Sequence, residues 1–448
     1  MEGLSTVEGF FHLRERGTDV GTEVRAGVTT FMVMVYILAV NGIIIAEPLG
    51  LEPVAVAAGT ALIAGVMTIA MGVFTNYPFA LAAGLGLNAV VAFSLPALGM
   101  TPAQAMGVVV IEGVIITILV LAGLREAIMD AIPLALKRAI GVGIGLFILF
   151  IGFWDGGLIT GAPSPQDPVD FIFPNSNGAY VFLIGLLITA ALWTLKVKGA
   201  LIISIAATTV IAILMGVQQL PDQFSVTPNF DTLGLGLEDL GGIFTIEAGL
   251  LAALLAIFTI MLSDFFDTMG TVTGVAAEAG LTNEDGSVPG VGRVLLVDGI
   301  AAAVGGAAGV SSNTTYIESA AGVADGGRTG LTSVVTGLLF LLAVFLTPLV
   351  QIIPLQAAAP ALVLVGYLMF TQIGEIDARD VSTGLPALLI MILMPLTFTI
   401  TIGIGAGIVV WVVLKLIQQR WGEIHWLMWI VFIAFVLYFA QNWINSVI

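Results

Sequence analysis

Residues 311–330 read SSNTTYIESAAGVADGGRTG. The run sits between apolar segments long enough to span a bilayer, yet it carries a carboxylate, Glu318, among small hydroxyl and amide residues. A bilayer core accepts such a run only where it is buried in protein or lines a wet cavity. The chain around it is therefore expected to enclose a polar site within a membrane.

Composition agrees. Of 448 residues, 58% are hydrophobic and 10% charged, and the mean hydropathy is +1.10. A soluble domain of this length would carry about a quarter charged residues. The absence of cysteine excludes disulfides and thiolate metal sites. The two histidines, His12 and His425, lie near segment ends, which argues against a histidine metal cluster or a Ser-His triad. No cofactor, metal or nucleic-acid partner is expected. The first 25 residues are too polar for a signal peptide. The net charge of −17 reads as acidic residues crowding the water-facing loops rather than as a mark of a cationic partner.

Apolar runs predict spans at roughly 24–45, 53–74, 79–98, 103–123, 138–155, 178–196, 199–218, 247–275, 291–308, 310–324, 329–350, 358–374, 384–398 and 400–418. A further apolar stretch, 426–446, either crosses the bilayer or lies along it. The positive-inside rule tests this count. With a cytoplasmic N-terminus and fourteen alternating spans, all 13 basic residues fall on one side, and the two longest loops, about 156–177 and 219–246, fall outside with acidic charges only.

Spans three and ten depart from ordinary helices in the same way, being rich in glycine or small polar residues. Gly84 precedes Asn88 by four, and Gly309 precedes Asn313 by four, a common offset of 225 (309 − 84 and 313 − 88). The two spans thus take equivalent places in two seven-span halves, and because seven is odd the halves must be inverted. Paired interrupted segments of this kind point to a transporter site at the midplane.

Few ionisable residues lie within spans. Glu318, beside Asn313, Thr315 and Tyr316, reads as a carboxylate for a polar ligand or a coupled proton. The alternative is a structural acid paired with a helix N-terminus or a buried hydroxyl. Asp264 and Asp267, in SDFFDTMGTVTG, share roughly one helix face. One is expected to face the cavity and the other a neighbouring helix. Asp267 is favoured for the cavity, since Thr268, Gly270 and Thr271 continue the small polar pattern. By the same offset it falls opposite Gly42, beside Asn41. Asn88 offers an amide donor and acceptor or caps the broken helix. Asp298 and Glu112 read as structural or proton-coupling acids, Asn41 and Asn76 as helix-end residues. Gly84–Asn88 is neither a P-loop nor a dinucleotide fingerprint. With no ATP-hydrolysing domain, an ion-driven secondary transporter is expected. An intramembrane enzyme lacks its constellation, and a channel needs no inverted halves.

Five stretches carry a specific resemblance over nearly the whole chain: GTDVGTEVRAGVTTFMVMVYILAVN, ALAAGLGLNA, REAIMDAIPLALKRAIGVGIGLF, FFDTMGT and TTYIESAAGVADGGRTGLTSVVTGLLF. The chain resembles the second nucleobase–cation symporter family, specifically its adenine/guanine/hypoxanthine permease branch. The resemblance implies an all-α, seven-plus-seven inverted-repeat membrane fold like that of the uracil permease, with short extended segments in spans three and ten. It further implies a cytoplasmic N-terminus over 1–23, a core domain over 24–123 and 247–350, a gate domain over 124–246 and 351–420, and an extra membrane helix over 421–448. The family's substrate-contacting acids fall on Asp267 and Glu318, and its polar contact in span three on Asn88. Gly86, Thr271, Tyr316 and Asn313 complete the expected wall. Glu318, Asp267 and Asp264 are the expected proton-coupling acids.

Two positions depart from the branch, which usually has proline where this chain has Gly42 and Ala83. The glutamine-histidine motif of the ascorbate/xanthine branch is also absent, which disfavours xanthine. The expectation is a proton-coupled purine importer of the cell membrane working by alternating access. A pyrimidine or anion carrier of the same fold and sodium coupling are the alternatives. A homodimer is common in this fold.

Overall fold

Asp19 opens the first long helix by accepting a hydrogen bond from the Thr22 amide, so helix α2 (Val20–Leu49) starts four residues before the expected span. The computed structural model describes residues 2–123, 132–161, 169–220, 227–283, 287–397 and 399–447. Arg125 and most of the REAIMDAIP run therefore lie outside the described residues. A short helix α1 (Glu2–Phe11) precedes α2.

Helix α3 (Pro53–Thr75) is capped by Glu52 and ends at Asn76, which takes the left-handed conformation as expected of a helix end. A short strand β1 (Leu81–Ala83) leads into α4 (Leu85–Leu98). Thr101 and Gln104 form a capping box at the start of α5 (Pro102–Leu121). Then come α6 (Leu134–Asp155), the hairpin β2 (Ile159–Gly161) with β3 (Val169–Phe171), α7 (Asn177–Thr194) and α8 (Ala200–Leu214). The second half holds α9 (Leu250–Glu278), α10 (Val291–Ala307), strand β4 (Asn313–Thr315), α11 (Ser319–Ala324), α12 (Gly330–Ile352), α13 (Leu355–Glu375), α14 (Val381–Thr397) and α15 (Ile400–Ile417). Helix α16 (Trp426–Val447) follows, with Phe435 seated against Gly405 of α15.

Regular structure occupies each expected span position, and nine described helices are long and apolar enough to cross a membrane. This is a multi-pass membrane protein. Packing falls into two sets. Helices α2, α3, α5, α9, α10 and α12 pack mainly on one another, and α6, α7, α8, α13, α14 and α15 do the same. The pairs come in matched couples under exchange of the halves: α3 with α12 answers α10 with α5, and α7 with α8 answers α14 with α15.

Glycine permits the tightest of these crossings. On α3, Gly65 lies against Gly337, and Gly72 against Gly330. On α10, Gly299 and Gly306 lie against Ile116, Thr117 and Val110 of α5. Both pairs are seven residues apart (72 − 65 and 306 − 299), and 234 residues separate them (299 − 65). A Cβ on Gly330 would overlap the carbonyl oxygen of Gly72, so the backbones must separate to admit it. Gly330→Ala is accordingly expected to cost about 1–3 kcal/mol of stability, read as a lower thermal midpoint in detergent. Gly374→Ala, at a position with open space, is the control.

Glu23, fully buried, accepts from the amides of Arg328, Thr329 and Thr332 and from the hydroxyls of Thr329 (2.8 Å) and Thr332 (2.6 Å). It thereby closes the N-terminus of α12. Nearby, Arg16 donates to the carbonyls of Asn76 and Arg328 and lies over the Tyr77 ring. Lys198, between α7 and α8, donates to the carboxylate of Asp325, and Arg25 to the Asp325 carbonyl. The Lys198 hydrogen bond holds the Asp325 carboxyl below the usual carboxylate range. These contacts gather basic residues from several loops at one end of the bundle. At the other end, the 227–246 segment is not a simple loop. It folds onto α10, the Gly234 amide donating to the Ala307 carbonyl (2.8 Å), with Gly236 against Gly306.

Candidate substrate site

The site is built on the two extended segments. Strands β1 and β4 pair antiparallel, Leu81 with Thr315, Ala82 with Thr314 and Ala83 with Asn313. The ladder continues on both sides, the Gly84 amide donating to the Ser312 carbonyl and the Tyr316 amide to the Ala80 carbonyl, each at 2.9 Å. β-Branched Thr314 and Thr315 favour extension locally. Ser311 sits at φ 73, in the left-handed region, where the chain turns out of α10 into the strand. Because lipid offers no partner for backbone groups, an extended segment at this depth must be satisfied by protein. Thr68 of α3 does part of this, its hydroxyl meeting both the amide and the carbonyl of Leu81.

Asp298 of α10 fastens the other strand. Its carboxylate accepts from the Thr268 hydroxyl (2.7 Å), the Thr315 hydroxyl (2.7 Å) and the Thr315 amide (2.9 Å). Thr268 also hydrogen-bonds Thr314. One buried acid thus joins α9, α10 and β4, which is the structural of the two roles expected of it.

Two acids adjoin where α9 meets α11, and the exposed strip of α9 beside them is here called the recess. Glu318 takes the N-cap position of α11 and is half-buried, its carboxylate accepting from the Tyr36 hydroxyl of α2 (2.8 Å). Asp267 is exposed, although it lies deep in the protein with Glu318 and Asp264 as charged neighbours. Its exposure is to the recess. Gly270, Thr273 and Gly274 continue the exposed face of α9. Open space surrounds Gly270, Gly274 meets only Ile317 at 4.0 Å, and Ile317 is 54% exposed. The recess follows α9 toward its C-terminal end, the end where the basic residues gather. Two clefts elsewhere, about 380 Å³ beside His12 and about 320 Å³ between Glu47 and Gln351, contain neither acid. The chemistry, not cleft size, locates the site.

The Permease family profile of xanthine/uracil type matches residues 21–406. The chain belongs to this family. Among relatives similar to the permease are the guanine/hypoxanthine permease PbuG of Bacillus subtilis, 38% identical over 96% of this chain and 98% of its own, and the adenine permease AdeQ of Escherichia coli, 37% identical over 94% and 93%. These agree with the expected nucleobase–cation symporter family. In fold, the permease is similar to the transmembrane domain of the cyanobacterial bicarbonate transporter BicA, with TM-score 0.61 and 15% identity over 86% of this chain and 97% of that one. It is also similar to murine Solute Carrier 26 member A9, an anion transporter seen in the inward-facing state, with TM-score 0.61 and 12% identity over 89% and 68%.

The expected site residues divide in the permease. Asp267, Glu318 and Tyr316 adjoin one another. The Tyr316 hydroxyl donates to the Ala83 carbonyl, tying the two extended segments together. Thr271 is buried one turn beyond Asp267. Asp264 is fully buried and accepts from the Ser312 hydroxyl (2.8 Å), so of the two α9 acids Asp267 is the one facing the recess. Asn88 is fully buried, and neither atom of its amide has a partner among the described residues. It caps nothing, the N-cap of α4 being Gly84, and a buried amide without a partner calls for a water or a ligand group. Asn313 lies against Gly305 of α10, and its buried amide nitrogen likewise has no partner among the described residues.

Gly86 faces Ile144 of α6, whose Cγ2 would lie 2.5 Å from an added Cβ. Gly86→Ala is therefore expected to wedge α4 from α6 and slow transport about tenfold, and Ile144→Ala in the same chain to restore it. Initial uptake rates decide this; an unslowed Gly86→Ala excludes the contact as a control point.

The 225-residue correspondence does not hold. The paired strands differ by 232 (313 − 81) and the paired glycines by 234, so Asn313, on a strand, has no counterpart in Asn88, on a helix. Asp267 is likewise not opposite Gly42, which packs against Pro53 and Val350. Asn41 is not a helix end; it is buried within α2 and donates to Thr60 and the Val310 carbonyl. Sequence reasoning missed Tyr36, Ser312 and Glu23. Tyr36 sits 282 residues from its partner in an ordinary apolar run, which carries no local signal.

Proposed function

We propose that this permease imports purine nucleobases (hypoxanthine, guanine and adenine) across the cell membrane by proton symport with alternating access. The single observation that carries the reading is the meeting of Asp267 and Glu318 beside two paired extended segments, with the unpartnered amide of Asn88 on the helix that follows the first of them. A purine edge offers ring N–H and exocyclic groups, which two carboxylates and an amide complement. The permeases named for guanine/hypoxanthine and adenine support that class of substrate. An anion would want a cation here. Arg328 donates instead to the carbonyls of Val323 and Gly327, at 2.6 and 2.7 Å.

The same reading takes the fourteen segments as crossings in two inverted halves, with a cytoplasmic N-terminus. Matched packing couples and glycine pairs support the inversion. The gathered basic residues support the orientation. The two packing sets correspond to a core that carries the site and a gate against which it moves. The recess opens toward the basic end, whereas Gln218 and the Gln351 carbonyl meet at the other (3.2 Å). This arrangement fits a state open to the cytoplasm.

The test is uptake of labelled hypoxanthine into proteoliposomes holding the purified permease, under a pH gradient, a sodium gradient or neither. Competition by adenine and guanine but not uracil, and collapse with a proton uncoupler, are expected. Accumulation that follows sodium alone would overturn the proton, and inhibition by uracil alone would overturn the purine.

A further inference from the structure

Behind the substrate site lies a second pair of acids. Glu112 of α5 and Asp264 of α9 are both fully buried and meet through their side chains. Neither oxygen of Glu112, nor Oδ1 of Asp264, has a donor from any described residue. Ionised carboxylates only accept hydrogen bonds, and the Ser312 hydroxyl beside both of them can donate only once, to Asp264, so the two are suited to hold a proton between them. The third acid nearby, Asp298, is different: Thr268 and Thr315 supply three short donors, which suit it to carry the charge. Asp264 accepts from Ser312 with the Thr314 hydroxyl also beside it, and Glu112 has only the already committed Ser312 hydroxyl beside it.

The charged groups facing Glu112 are Asp264 from α9 and Asp298 from α10, both acidic. The 235–245 turns also pack on α5, but their Asp239 accepts from Gln104 at the outer end of that helix. A metal cation would want several converging oxygens. No group of three or more carboxylates or imidazoles among the described residues is placed to hold one. A proton is the ligand this geometry suits.

The pair also touches the extended segments of the site. Ser312 donates to Asp264 through its hydroxyl and accepts from Gly84 through its carbonyl, at 2.8 and 2.9 Å. Gly84 begins the helix that bears Asn88. Asp267, three residues beyond Asp264 on α9, opens to the recess and is the group through which a proton would pass.

We propose that Glu112 and Asp264 form a buried proton-holding pair, and that this pair, rather than the acids lining the recess, stores the coupling proton. The storage follows from the local geometry alone; the coupling rests on the purine-symport reading. When the proton leaves, the Ser312 hydroxyl is drawn further onto the charged pair, and the strand pairing at Gly84 responds.

Two measurements test this on the full chain in lipid. Infrared spectra of the wild type at neutral pH are expected to hold a protonated-carboxyl band that weakens in Glu112→Gln and in Asp264→Asn. A wild type without that band, or a band unchanged in both variants, overturns the pair, whether or not the protein carries purines. In proteoliposomes, Glu112→Gln is expected to keep hypoxanthine binding and exchange, and to lose the accumulation that one proton per base sustains, about tenfold per pH unit. Wild-type accumulation by Glu112→Gln overturns the coupling role. A wild type that moves no purine refutes the transport reading and leaves the infrared result to stand by itself.

Discussion

Glu318→Gln and Asp267→Asn are each expected to bring pH-driven hypoxanthine uptake to background while leaving the protein folded. Each change preserves side-chain volume and removes the charge. A hydrogen bond to a charged group is worth about 1.5–3 kcal/mol, or about 10- to 150-fold in affinity. The two acids differ in what else they lose. Glu318 also accepts from Tyr36, so its amide variant weakens the link between α2 and the start of α11. Asp267 accepts no hydrogen bond from the described residues and is exposed to the recess, so its loss falls on the ligand. Tyr36→Phe separates the effects and is expected to weaken uptake less than Glu318→Gln. Full accumulation by both acid variants would refute the site. Radiolabelled binding, uptake and size-exclusion profiles together distinguish a failed site from a failed fold.

The largest stability effect is expected at Asp298. Removing its carboxylate in Asp298→Ala strips the acceptor from the Thr268 and Thr315 hydroxyls and from the Thr315 amide, all buried. Each buried donor left unpaired costs about 1–3 kcal/mol, so a loss of at least about 3 kcal/mol is expected even with local relaxation. Asp298→Asn keeps an acceptor oxygen and should lie between the two. The thermal midpoint in detergent measures the series. An alanine variant as stable as the wild type would show that β4 is held by other means. Because β4 pairs with β1, the damage should reach hypoxanthine binding as well, although Asp298 does not line the recess.

Ser311–Gly330 shows where local reading succeeds and where it stops. Its polar composition between apolar runs made the membrane class and the interrupted segment legible, since a hydrocarbon core penalises such residues wherever they lie in the chain. That Asp267 rather than Asp264 opens to the recess was also legible, because small and hydroxyl residues follow it on the same helix. The pairing of the halves was not. A four-residue spacing recurs by chance in a glycine-rich chain, whereas the paired strands and the glycine crossings recur at 232 and 234 residues.

The sequence by itself determined the class of protein, the order of its helices and which acids lie within the apolar segments. These depend on transfer free energies and helix periodicity, which are properties of each segment alone. The tertiary structure decided which groups meet: Tyr36 with Glu318, Ser312 with Asp264, Asp298 with β4, Glu23 with α12 and Glu112 with Asp264. A hydrogen bond needs its partners within about 3 Å. Residues hundreds of positions apart reach that distance only when the helices between them have packed, so no single stretch carries the information.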